Sequence, residues 1–157
     1  MNLADKAESD IAKERKMLLV VRLLGYGGLL PFLFLAAAVL LGLRAPFATA
    51  SALLMGYGAI ILSFVGALHW GVQLVQKQPS PARFIWSVVP ALTSWLALMM
   101  PIPIGTGLVI FGLLSCLAYD WRVLASGEWP AYMRPLRLIL TLVACLCLSV
   151  NILFVVV

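Results

Sequence analysis

Long apolar runs separated by short polar breaks set the pattern of this chain. Five stretches are almost free of charge: Leu23–Leu43, Thr49–Val75, Phe84–Met100, Gly105–Leu124 and Leu136–Val156. Each approaches the length of about 20 residues that carries a helix across hydrocarbon. None alternates apolar with polar residues at period two, so the pattern excludes a membrane β-barrel. Helix remains, because lipid offers no partner to an unpaired backbone N–H or C=O. The third segment is the shortest and ends at Pro101 and Pro103. The apolar Pro101–Ile104 link reads as a tight hairpin, which makes the third and fourth segments neighbours. Ahead of the first run, residues 1–22 mix both charges and place Leu3, Ala7 and Ile11 at helical spacing. This predicts a short N-terminal cytoplasmic helix, either lying on the headgroups or extending into solvent. The fold class expected is therefore all-α: a polytopic membrane bundle of five transmembrane helices (23–157) preceded by a helical segment (1–22).

Composition strengthens that reading. Hydrophobic residues make up 64% of the chain and charged residues 11%, whereas soluble domains have about 45–50% and about 25%. So few polar side chains cannot cover a soluble domain of this size. The net charge of +5 changes the picture only through its placement. Lys6, Lys13, Arg15, Lys16, Arg22, Lys77, Arg83, Arg122, Arg134 and Arg137 all fall on one side of the predicted membrane, and Arg44 alone falls on the other. Such asymmetry puts the N-terminus in the cytoplasm and the C-terminus outside. It also explains the basic balance without a nucleic-acid partner. Ala48-Thr49-Ala50 has the form of a signal-peptidase site. The apolar run before it exceeds the about 7–15 residues of a signal core, so cleavage is not expected. Gly25-Tyr26-Gly27 and Gly56-Tyr57-Gly58 echo each other, but at different depths, which is no basis for an inverted repeat.

Polar groups inside apolar spans are costly, so candidate chemistry is sought there. His69, the one histidine, lies on the second span, with Gln73 and Gln76 on the same face. Asp120 is the one acid within a span, near the same end of the fourth. Both spans run in the same direction, so a bundle can bring the two together. Asp120 reads either as a buried partner for Arg122, Arg134 or Arg137, or as half of a proton-exchanging pair with His69. His69 reads either as a hydrogen bond between helices or as a relay or ligand contact. The candidate polar cluster is thus His69, Gln73, Asp120 and Arg137. Ala59, Ser63, Gly66, Ala67 and Gly71 form a strip of small residues suited to close helix packing. Pro31 and Pro90 are expected to bend the first and third spans. Asn151 reads as a bond between helices. Cys116, Cys145 and Cys147 read as packing residues, and Trp70, Trp86, Trp121 and Trp129 as interface anchors. No phosphate loop, G-x-S-x-G, H-E-x-x-H or metal spacing occurs in the sequence. No cofactor or metal is expected.

The second span, Tyr57-Gly58-Ala59-Ile60-Ile61-Leu62-Ser63-Phe64-Val65-Gly66-Ala67-Leu68-His69-Trp70-Gly71, resembles a bacterial multi-pass membrane family of unknown function related to the mitochondrial transmembrane protein 69. Leu30-Pro31-Phe32, Pro90 to Leu98, Tyr119-Asp120 and Trp129 to Arg137 fit the same resemblance, which covers roughly residues 20–150. It implies a bacterial inner membrane and brings no activity or site residue with it. Two functions stay open. One is a non-enzymatic accessory, assembly or organising protein packed against other inner-membrane proteins or a second copy of itself. The other is a small carrier or channel, or a proton- or quinone-handling protein, using His69 and Asp120.

Overall fold

The computed structural model describes residues 3–42, 48–76, 79–125 and 132–155, and the elements among them are all helices. They are α1 (Leu3–Gly27), α2 (Leu30–Leu40), α3 (Ala48–Val75), α4 (Pro81–Leu98), α5 (Ile102–Ala125) and α6 (Met133–Val155). Leu43, Arg44, Lys77, Trp129 and Val156 lie outside the described residues.

The first predicted span is two helices. α1 runs unbroken past residue 22 and ends at Gly27. The chain then turns through Gly28 and Leu29, whose N–H groups donate to Leu24 O and Tyr26 O, both at 3.0 Å. The Tyr57 hydroxyl donates to Gly28 O at 2.9 Å and ties this joint to α3. The bend expected at Pro31 is therefore a helix break just before it. Pro31 itself starts α2, in the first turn, where an absent N–H leaves no bond unmade. Pro90, by contrast, lies inside a helix that continues through it.

Four helical stretches are long and apolar enough to cross a membrane by length and composition: Glu8–Leu40, Ala50–Val75, Ile102–Val123 and Met133–Phe154. The third predicted span, α4, falls short of that measure. Arg83, Ser87, Pro90, Thr93 and Ser94 dilute its 18 residues. Its length is nonetheless about 27 Å at about 1.5 Å per residue, and it lies antiparallel along α3. Trp70 meets Phe84 edge-on, ring centroids 5.0 Å apart. Farther along, a Cβ on Gly66 would lie 2.6 Å from Ser87 O and 3.0 Å from the Pro90 ring. α4 buries Ser87, Pro90, Ser94 and Ala97, a small-residue stripe that lets two backbones approach. Its serine hydroxyls bond within the helix, Ser87 to Phe84 O at 2.7 Å and Ser94 to Pro90 O at 2.8 Å, so the stripe buries no unmet hydroxyl. The turn into α5 is as tight as the prolines predicted: a Cβ on Gly105 would lie 2.3 Å from Ala97 O.

α3 is the hub, packed against α2, α4, α5 and α6. Its buried line runs Ala59, Leu62, Gly66, His69 and Gln73. This corrects the expected strip. Ala59 and Gly66 are buried and Ser63 is half-buried, but Ala67 and Gly71 are exposed, and nothing lies within 4 Å of a Cβ placed on Gly71. Residues taken at strict i+4 steps rotate about 40° per step around a helix of about 3.6 residues per turn. Alternating i+3 and i+4 steps holds one face, and that is the face α3 buries. Phe32, Leu54, Leu62, Val109 and Leu148 fill the core around it.

Candidate functional site: a buried histidine, aspartate and arginine

Three helices each bring one ionisable side chain to the same end of the bundle. His69 lies six residues before the end of α3, Asp120 five before the end of α5, and Arg137 four after the start of α6. These offsets put them about 6–9 Å in from the helix ends, so the shared depth follows from sequence position alone. The side chains are 6%, 0% and 8% exposed.

Asp120 is the centre. Its Oδ1 lies 2.6 Å from His69 Nε2. Its Oδ2 accepts from Arg137 Nε at 2.6 Å and from Arg137 Nη2 as well. Both Asp120 oxygens serve as acceptors, so His69 Nε2 is read as the nitrogen that donates to Oδ1. With a neutral imidazole, the cluster sums to zero charge. That is the condition under which an ion pair can sit in a low-dielectric interior, since an unmatched charge there costs several kcal/mol. Of the three arginines weighed as partners for Asp120, Arg137 turns inward while Arg122 and Arg134 are exposed.

Tyr119, the residue before Asp120, extends the cluster. Its ring meets His69 edge-on with centroids 5.2 Å apart, and lies 4.8 Å from Trp86 at an interplanar angle of 30°. Trp86 is therefore half-buried against α5, its indole Nε1 buried and without a hydrogen-bond partner among the described residues, while Trp70 and Trp121 are exposed.

Gln73 does not join the cluster. Its Oε1 accepts from Ser80 N–H at 2.9 Å, and its Nε2 donates to Gln76 Oε1 at 3.1 Å. It binds the end of α3 to the start of α4, where Ser80 makes no side-chain cap of its own. A second polar crossing lies toward the other end of the bundle. Asn151 Nδ2 donates to Ser51 O at 2.8 Å and reaches Thr106 Oγ1 at 3.5 Å. Asn151 stood out in the sequence, but Ser51 and Thr106 did not, since a backbone carbonyl and a lone threonine carry no sequence signal. Cys116 and Cys147 are buried, Cys145 is half-buried, and all are free thiols. Among the described residues no group of His, Cys, Asp and Glu is arranged to hold a metal.

The geometry makes Asp120 a brace joining α3, α5 and α6. Comparison with known proteins places the chain. The family described as "protein of unknown function (DUF3429)" matches residues 18–153, and the chain belongs to it. Transmembrane protein 69 of Xenopus tropicalis is 39% identical over 129 residues, which cover 77% of this chain and 49% of that protein. Transmembrane protein 69 of Mus musculus is 29% identical over 93 residues, covering 57% of this chain and 38% of that protein. The chain thus spans half or less of the length of these relatives. No solved structure matches.

Proposed function

We propose that this member of the family is a non-enzymatic accessory or assembly protein of a bacterial inner membrane, packed against other membrane proteins. The observation that supports this most is the state of its charged cluster. Both Asp120 oxygens are engaged by His69 and Arg137, and all three residues are buried in the bundle. Groups spent on one another in this way stiffen a scaffold. A carrier needs them to exchange partners, so the carrier reading, which draws on the direct His69–Asp120 contact, stands second.

The cytoplasmic N-terminus and the external C-terminus belong to the same proposal and rest on the ten-to-one distribution of cations. Purification of the full chain in a mild detergent tests the central claim. The expected result is a membrane protein co-eluting at fixed stoichiometry. A lone monodisperse species retaining no partner would count against it.

A further inference from the structure

Arg137 has a second side. A cavity of about 140 Å³ lies between the α1–α2 joint and α6, bounded by Leu29, Phe32, Val65, Leu113, Thr141 and Arg137. Arg137 is the one charged side chain in its lining. The guanidinium gives Nε and Nη2 to Asp120. Its Nη1 makes no hydrogen bond among the described residues, and that edge remains for whatever enters. The cavity also takes in Leu24 and Phe64, which are 73% and 58% exposed. Apolar side chains so exposed on membrane-length helices face hydrocarbon, so the mouth opens to lipid and not to water.

Size, charge and polarity together narrow the occupant. A cavity of about 150 Å³ accommodates one benzene ring, so this one takes a single six-membered ring with its tail left outside. The charge of Arg137 is already matched by Asp120, and an anion would bring an unmatched charge to this depth. A bare hydrocarbon would leave the open guanidinium edge without an acceptor. An uncharged ring bearing a carbonyl satisfies all three conditions. We propose that the cavity is a binding site for a lipid-dissolved quinone, its carbonyl accepting from Arg137 and its tail passing between Leu24 and Phe64. The proposal concerns binding alone and stands apart from the accessory reading, since a quinone can be held whether or not a protein partner co-elutes.

The test is equilibrium binding of a decyl-substituted benzoquinone to the full chain in lipid nanodiscs, with decylbenzene as the matched probe lacking carbonyls. One saturable site per chain is expected for the quinone, with decylbenzene weaker by about tenfold or more, the worth of one hydrogen bond to a charged donor. Ala144→Leu fills the cavity without touching Asp120, and is expected to weaken quinone binding at least tenfold. Thr141→Leu, on the same wall, serves if that variant does not fold. Leu108→Phe, in a separate groove between α4 and α5, is expected to leave binding unchanged. Absence of a saturable site, equal binding of decylbenzene, or binding indifferent to both cavity-filling variants would overturn the proposal.

Discussion

At the scale of single residues, Asp120 carries the heaviest consequence. Asp120→Ala leaves the Arg137 guanidinium buried without its anion and His69 without its acceptor. Breaking one member out of a buried ion pair costs about 3–5 kcal/mol, and thermal unfolding in detergent is expected to show a loss of that order. The triple variant His69→Leu, Asp120→Leu, Arg137→Leu removes the charges together and is expected to be milder, because apolar replacement of a whole buried network is often close to neutral. A triple variant less stable than Asp120→Ala would refute the view that the cluster works by internal compensation. Much of this was legible beforehand. His69 and Asp120 lie at matching depth on segments running the same way, and covalent geometry fixes that. Arg137 was named in the candidate cluster, with Arg122 and Arg134 left open as partners for Asp120, and the rotation of α6 decides among them. The departure of Gln73 was hidden: it shares the His69 face, but its amide reaches along the axis to Ser80.

At the scale of elements, the α3–α4 pair decides how the bundle is built. A methyl on Gly66 would press on the Ser87 carbonyl, and backbone does not yield as a flexible side chain does. Gly66→Ala is expected to destabilise by about 1–3 kcal/mol, the usual cost of overpacking. Gly71→Ala adds its methyl to open space and is expected to be neutral or to gain up to about 1 kcal/mol of helix propensity. Parallel unfolding measurements on the two variants check the contrast. The segments themselves were visible as apolar runs, and the α4–α5 hairpin as its prolines. The joint before Pro31 was less so, because hydropathy runs smoothly across Gly27 and Gly28, and it is backbone bonding that interrupts the helix there. Whether α4 crosses the membrane has its own check. Single cysteines at positions 80 and 100, in a background without the native thiols, are expected to react with an impermeant reagent from opposite faces. Labelling from one face would reduce the protein to four crossings.

At the scale of the whole molecule, lipid gives helices no hydrophobic reason to associate, so packing and polar crossings hold the bundle together. The tight contacts between α3 and α4, the Asp120 brace at one end and the Asn151 crossing toward the other supply that cohesion. The bundle architecture was readable from composition, since little else can bury this chain. The polar crossings were readable only as isolated residues, because no periodicity records which helices will stand side by side. The brace also has an order in time. Ribosomes deliver the chain from its N-terminus, so α3 and α5 precede α6 into the bilayer. Until α6 arrives, Asp120 lacks its cation, at a cost below the about 2.5–3.5 kcal/mol that insertion scales give for an acid at a helix centre. Arrival of α6 ends it. A chain ending before its last helix therefore leaves Asp120 without Arg137, whereas the finished protein buries the pair.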